Sequence, residues 1–367
     1  MKRFAIAAGG TGGHLFPGLA VAEVLHAWGH QVLLLTSEKH IDAVATEGRS
    51  EFQIARLPGM GLPRGINLET VKFLARFARG ILHCRRLYAE FKPAAVLGMG
   101  GFTSIAPILA GRLSGLPVFV HESNAIPGKA NRLNARLAGG WLAGFEECAR
   151  QIPAVPCTVT GTPVRGAFLN HPSKAEALQK FGLSPARRTV LVMGGSQGAA
   201  GVNMAVMDAA ANLASAGFQF LHITGAADEK SVAAFYQKTG IPAWTAAFHH
   251  AMQDAYSAAD IAVARSGAAS LTELSFFGLP SILIPYPFAA EDHQTCNARV
   301  FSNVGAALLM QERDATGPFL AAEIKRVLED PQALAKMTEA CRALYKSDAA
   351  ERVARVLLTA AEGRKNK

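Results

Sequence analysis

The first residues in the chain with chemistry to offer are the run Gly9-Gly10-Thr11-Gly12-Gly13 and the imidazole of His14 that follows it. Glycine accepts positive φ and adds no side chain, so such a run lets backbone N–H groups come close to an anion or a sugar. A histidine with an ordinary pKa near ~6.5 can take a proton at neutral pH, which makes His14 a candidate general base; helix capping or packing is its alternative role. A second run, Gly194-Gly195-Ser196-Gln197-Gly198, puts Ser196 and Gln197 where a helix begins. Free N–H groups and the positive end of the helix dipole favour phosphate there, with Ser196 as a plain N-cap the structural alternative. The segment Arg265-Ser266-Gly267-Ala268-Ala269-Ser270-Leu271-Thr272-Glu273 reads as a strand end, a glycine turn and a helix. Glu273 can accept both hydroxyls of a ribose, although Ser270 and Glu273 also have the spacing of a capping box.

Other chemistries are disfavoured. No Gly-Lys-Ser/Thr closes either glycine run, so neither is a P-loop, and the first does not supply the Gly-x-Gly-x-x-Gly that a nicotinamide-dependent dehydrogenase needs. Asp-x-Asp is absent, so no metal held by two nearby aspartates is expected, and a departing diphosphate would have to be stabilised by backbone amides and arginine. Five cysteines, at 84, 148, 157, 296 and 341, form no Cys-x-x-Cys and point to neither a disulfide framework nor zinc, as expected in a reducing compartment.

The elements that must carry these loops recur along the chain. Phe4 to Ala8 reads as a buried strand, Pro17 to Trp28 as a helix stopped by Gly29, and Gln31 to Leu35 as the next strand. About 185 residues later Thr189 to Met193, Ala199 to Ala214 and Phe218 to Ile223 repeat the unit. With 367 residues, 50% of them apolar and 18% charged, the chain is neither disordered nor one small module. Two doubly wound α/β domains are predicted, 1–163 and 164–344, with a linker near Gly161 to Pro172 and a helix from about 345 to 367 able to pack back on the first domain. Ligands of open α/β sheets bind outside the carboxyl ends of the strands, so a cleft between the two domains is the expected site.

Charge is uneven. Up to Pro163 there are 17 basic and 10 acidic residues, against 20 and 18 after it, within a net charge of +9. Lys72, Arg76, Arg79, His83 and Arg86 recur at helical spacing within an arc of about 80°. Phe73, Phe77, Ile81 and Tyr88 lie beside them, a pattern that suits an anionic membrane surface or a solvated helix face. The uncharged stretch Phe4 to Ala22 is broken by glycines, His14 and Pro17 and does not make a signal segment; the runs Pro93 to Gly111 and Leu274 to Ala290 are likewise cut by Gly and Pro, so no transmembrane helix is expected.

Taken in order, Gly9 to His14, His121-Glu122-Ser123-Asn124, Gly161-Thr162-Pro163-Val164-Arg165, Gly194 to Ala199, Arg265 to Ala268 with Glu273, and Gln294-Thr295-Cys296-Asn297-Ala298-Arg299 resemble the MurG family. Its members are bacterial N-acetylglucosaminyltransferases that convert lipid I to lipid II, and the likeness spans nearly the whole chain. The resemblance implies a GT-B fold of two Rossmann-like domains, inverting transfer from UDP-GlcNAc to the MurNAc 4-hydroxyl, and no cofactor or metal. Carried over by position, Thr11, Gly12, Gly13 and Asn124 approach the sugar and diphosphate, and Arg165, Ser196 and Gln197 meet donor phosphate or nucleotide. Backbone at His249 grips the uracil, Ala268, Ser270, Leu271, Thr272 and Glu273 surround the ribose side, and Gln294 binds GlcNAc hydroxyls. His249 and Ser123 depart from the family's usual residues. The implied partners are UDP-GlcNAc, lipid I and an anionic membrane at the cytoplasmic face, with no nucleic acid; protein partners in cell-wall synthesis or division are left open. A UDP-GlcNAc 2-epimerase and a non-catalytic nucleotide-sugar-binding protein are the rival readings.

Overall fold

The structure, a computed structural model, describes residues 1–58, 68–153, 155–195 and 198–363, without the side chains at 41, 68, 69 and 71. It divides into two compact units, Met1–Gly166 with Lys346–Lys367, and Ala167–Tyr345. Arg165, expected in the second domain, therefore belongs to the first unit.

The first unit is built on seven parallel strands: β1 (Arg3–Ala7), β2 (Gln31–Ser37), β3 (Gln53–Leu57), β4 (Ala95–Gly98), β5 (Val118–Glu122), β6 (Gly140–Ala143) and β7 (Cys157–Val159), in the order β3-β2-β1-β4-β5-β6-β7. Its helices are α1 (Gly12–Ala27), α2 (His40–Thr46), α3 (Leu68–Phe91), α4 (Ile105–Leu113), α5 (Lys129–Leu137) and α6 (Glu146–Ala149). In β1 alternate residues go to opposite faces: Phe4 and Ile6 join Leu19 and Val21 of α1, whereas Ala5 and Ala7 join Cys84 and Tyr88 of α3. Near-continuous apolar strands are the consequence of burial on both faces.

The second unit has six parallel strands: β8 (Arg188–Met193), β9 (Phe218–Ile223), β10 (Ala243–Ala246), β11 (Ile261–Ala264), β12 (Ser281–Leu283) and β13 (Ala307–Leu309), in the order β10-β9-β8-β11-β12-β13. Around them lie α7 (Lys174–Lys180), α8 (Ala200–Ala214), α9 (Glu229–Thr239), α10 (Met252–Ala258), α11 (Ala268–Phe277), α12 (His293–Asn303), α13 (Gly317–Leu328) and α14 (Pro331–Ala343). The last helix, α15 (Ala349–Gly363), belongs to the first unit, where Val353, Ala354 and Leu357 share a core with Phe4, Ile6 and Leu25.

In both sheets the strand order reverses beside the first strand, between β1 and β4 and between β8 and β11. Chain leaving adjacent strands there diverges to opposite faces and opens a crevice at the carboxyl ends. The uncharged runs that approach spanning length resolve into strand and helix pieces, β4 with α4 and α11 with β12. No described helix is long and apolar enough to cross a membrane.

One expectation is corrected. Helix α1 starts at Gly12, not near Pro17. Thr11 stands at the N-cap and its carbonyl accepts from the N–H groups of His14 and Leu15 at 3.2 and 3.0 Å, so the glycines form the first helical turn in spite of their low propensity. Further along, Gly18 lets α1 press on β1, because a Cβ there would come within 2.4 Å of the Ala8 Cβ.

Beneath the second crevice His222 is fully buried, with its Nε2 3.0 Å from Asn203 Oδ1 and its Nδ1 3.1 Å from the Tyr236 hydroxyl. Desolvation pushes its pKa down to about 3. The unfolded chain, with a histidine near ~6.5, then binds a proton that the fold refuses, so stability is full above that value and is lost as pH falls toward 3. Equilibrium urea unfolding should show about 2 kcal/mol less stability from this group at pH 5 than at pH 8. The same comparison in His222→Gln should lose that part of the slope; an unchanged slope would refute the assignment.

Candidate active site

At the carboxyl end of β1, Gly10 has φ +88 and its N–H donates to Asp42 Oδ2 at 2.8 Å. That oxygen also accepts from Ser37 N–H at 2.8 Å and from the Ser37 hydroxyl at 2.5 Å. The Gly10 amide is thus committed inside the protein, which corrects the expectation that the whole run offers its amides outward. The Lys39 ammonium donates to the Gly10 carbonyl at 2.8 Å from the solvent side. Thr11 is exposed, and Gly12 and Gly13 follow as the first helical residues, whose N–H groups have no intrahelical acceptor.

His14 is half-buried, with its Nδ1 3.0 Å from the Thr11 hydroxyl. Its ring lies over Gly100 and Gly101, which follow β4 at φ +103 and +70; a Cβ on either would come to 3.1 Å from a ring atom. Burial lowers the His14 pKa, while the carboxylates of Glu122 and Asp42 pull the other way and Lys39 adds to the fall. Neutral imidazole is therefore the resting form at neutral pH.

Strand β5 ends in His121-Glu122-Ser123-Asn124. Glu122 is 3% exposed, and its carboxylate accepts from Asn124 N–H at 2.9 Å, Asn124 Nδ2 at 2.8 Å, Gly128 N–H at 3.1 Å and Asn131 Nδ2 at 2.9 Å. Asn124 is thereby fixed by both backbone and side chain. His121 Nε2 donates to the Gly161 carbonyl at 2.9 Å, and burial lowers its pKa. The Arg165 guanidinium stacks on Phe16, 4.2 Å above the ring, which orients it toward the start of α1.

In the second unit, Gly198 has φ +76 and no room for a side chain, since a Cβ would lie 2.5 Å from the Thr224 carbonyl oxygen. Ser196 and Gln197 lie outside the described residues. Helix α11 has Gly267 as N-cap and begins at Ala268, so Ser270 is two residues inside it and the capping-box alternative for Glu273 is excluded. Glu273 instead accepts from the Tyr256 hydroxyl at 2.7 Å. Ala268 and Leu271 are buried and Thr272 donates to the Ala268 carbonyl at 2.9 Å, so these three side chains serve packing and Ser270, half-buried, keeps a polar group on this turn. Gln294 accepts from Tyr286 N–H through its Oε1 at 2.9 Å, and its carbonyl accepts from the Ser266 hydroxyl at 2.8 Å. His249 sits edge-on to Trp244 and Phe181, and desolvation lowers its pKa.

Sequence reasoning assigned no role of their own to several residues. Arg265 is buried and clamps the chain after β12, donating to the Ile284 and Pro285 carbonyls at 3.1 and 2.9 Å and pairing with Glu312. Asp42 and Asn131 carried no local signal. Gly100-Gly101, a glycine pair after an apolar run, repeats the signal that marks Gly9-Gly10 and was legible. On α3, Lys72, Arg76, Arg79, His83 and Arg86 are exposed, with Phe73 and Phe77 stacked beside them at 6.1 Å. A cavity of about 770 Å³ touching Leu82, Arg86, Lys92 and Leu116 adjoins this helix. Among the described residues no group of three His, Cys, Asp or Glu side chains is placed to hold a metal ion.

Two Rossmann-like units with glycine loops at their switch points are the architecture of GT-B glycosyltransferases. Residues 4–141 match the glycosyltransferase family 28 N-terminal domain and residues 189–353 the family 28 C-terminal domain. The chain belongs to glycosyltransferase family 28. It is 36% identical, over 97% of both chains, to the UDP-N-acetylglucosamine--N-acetylmuramyl-(pentapeptide) pyrophosphoryl-undecaprenol N-acetylglucosamine transferase of Nostoc punctiforme. Among solved structures it is similar to Acinetobacter baumannii MurG, at 26% identity and a TM-score of 0.77 over 98% of this chain and 100% of that one. A UDP-GlcNAc 2-epimerase from Neisseria meningitidis shares the fold, with 15% identity and a TM-score of 0.72 over 98% and 100%.

Glu122→Ala would leave four donors around a buried hole. It should cost about 3 kcal/mol or more in urea unfolding and open residues 124–128 to proteolysis. A loss within ~0.5 kcal/mol would show that the loop is held by other contacts.

Proposed function

We propose that the protein transfers GlcNAc from UDP-GlcNAc to the MurNAc 4-hydroxyl of undecaprenyl-pyrophosphoryl-MurNAc-pentapeptide (lipid I), with inversion, to give lipid II for peptidoglycan synthesis. The observation that carries this reading is His14, neutral and held by Thr11 at the first switch point, in a chain whose relatives bear that activity in their names. The acceptor oxygen attacks the anomeric carbon as the bond to UDP breaks, and His14 takes the hydroxyl proton. With Nδ1–H donating to the Thr11 hydroxyl, the Nε2 lone pair is left to do so. Charge growing on the departing diphosphate is met by backbone amides and by arginine.

On the second unit, Glu273 binds the ribose, backbone at Ala268, Ser270, Leu271 and Thr272 frames it, His249 lies at the uracil, Gln294 binds GlcNAc hydroxyls, and Ser196 and Gln197 meet phosphate. On the first, Thr11, Gly12, Gly13, Asn124 and Arg165 serve the sugar and diphosphate. The exposed stripe Lys72, Arg76, Arg79 and Arg86, with Phe73 and Phe77, docks the enzyme peripherally on the anionic cytoplasmic face of the membrane, where a polyprenyl acceptor resides.

His14→Ala should lower kcat by about 10² to 10⁴ with UDP affinity unchanged, and the acid limb of wild-type kcat/KM should fall below ~6.5. Glu273→Ala should instead weaken donor binding by about 1 to 3 kcal/mol. Near-normal turnover in the first variant would remove His14 from the mechanism, and an unchanged donor KM in the second would remove Glu273 from the ribose. Membrane docking is tested by flotation with phosphatidylglycerol vesicles. Binding should weaken as salt rises and drop in a variant with Arg76 and Arg79 replaced by glutamate; salt-insensitive binding, or none, would refute the docking face.

A further inference from the structure

The peptide group of Gly10 is gripped from both sides by one short segment. Its N–H points inward to the buried carboxylate of Asp42, and its carbonyl meets the exposed ammonium of Lys39, both at 2.8 Å. Lys39 is the N-cap residue of α2, and Asp42 lies in its first turn. Asp42 is itself immobile: it is fully buried, and the Ser37 N–H and hydroxyl hold the same oxygen. There is no slack in the loop, since a Cβ on Gly9 would come within 2.4 Å of the Asp42 oxygen. The next residue after Gly10 is Thr11, whose carbonyl starts α1 and whose hydroxyl meets His14 Nδ1.

We infer that Lys39 and Asp42 are positioning residues for proton transfer, a clamp on Gly10 that sets the Thr11 N-cap and through it the aim and proton affinity of the His14 ring. The inference rests on His14 being the base. Both residues act through the loop, by way of the Gly10 peptide group. Their charges oppose each other at the imidazole, since Asp42 favours its protonated form and Lys39 disfavours it. The other ionisable groups facing the ring are Glu122, which favours protonation, and the neutral His121.

The test compares Asp42→Asn, Lys39→Met and His14→Ala with wild type in steady-state transfer across pH, with UDP binding and thermal melting measured in parallel. Asp42→Asn should lower kcat by about tenfold to a hundredfold and move the acid limb of kcat/KM down. Lys39→Met, an exposed change that leaves the fold intact, should lower kcat severalfold and move the limb up. UDP affinity should hold in both. Limbs that stay put, limbs that shift the same way, or a kcat within twofold of wild type in both variants would overturn the clamp. If Asp42→Asn does not fold, Lys39→Met decides alone, and hydrogen exchange at the Gly10 amide in Ser37→Ala gives a second reading: faster exchange is expected, and wild-type protection overturns the clamp. Should His14→Ala keep its activity, it is the assignment of the base that has failed, an outcome separate from any of these.

Discussion

Two buried carboxylates, Asp42 and Glu122, hold together the carboxyl end of the first sheet. A crevice at a switch point needs loops short of side chains, and such loops carry backbone amides that must be satisfied inside the protein or left for a ligand. Asp42 takes the amide of Gly10, and Glu122 takes those of Asn124 and Gly128. What remains outward is a small set: the first-turn amides of α1, the Thr11 hydroxyl and the His14 ring. Without those carboxylates the same glycines would be a flexible loop, and no ring would be aimed.

The second unit meets the same constraint with a different set of side chains. Asn203 donates to the Thr224 carbonyl at 2.9 Å and is backed by His222, which Tyr236 in turn supports. Gly198 then packs on the Thr224 carbonyl, and the same Asn203 amide donates to the Asp228 carboxylate at 2.8 Å, so a carboxylate closes this network too. An ion pair near it, Arg265 with Glu312, does a different job and fixes the chain that leads from β12 toward Gln294.

Much of this was legible in the sequence because the repeated unit of strand, glycine run and helix states itself twice, and each run falls at a strand end as expected. The strands were readable because burial on both faces makes them apolar throughout. What the sequence hid was of two kinds. Long-range partners such as Asp42, 32 residues from Gly10, leave no periodicity or motif, and an isolated aspartate between Ile41 and Ala43 looks like any helix surface. Local register was the other: Pro17, a residue suited to a first turn, argued for starting α1 there, and the spacing of Ser270 and Glu273 left a capping box open as the alternative. Both were decided by where the N-cap fell, at Thr11 and Gly267, which tertiary contacts set and propensity does not.

The helix ends make the same division visible in energetic terms. Ser173 caps α7 with a reciprocal bond to Glu176, and Asp330 caps α14 through the amides of Gln332 and Ala333. At α1, α8 and α11 the N-cap residues are Thr11, Ala199 and Gly267; none gives a side-chain cap bond, and none of these helices has an acid in its first turn. A cap contributes about 1 kcal/mol, so these three helices, like α4, α5, α12 and α13, do without stabilisation that α7 and α14 take. An anion bound at such an end restores what the missing cap withholds, because it satisfies the same amides and meets the same dipole. A side chain placed at such an end to cap the helix would compete with an anion for every amide it satisfied.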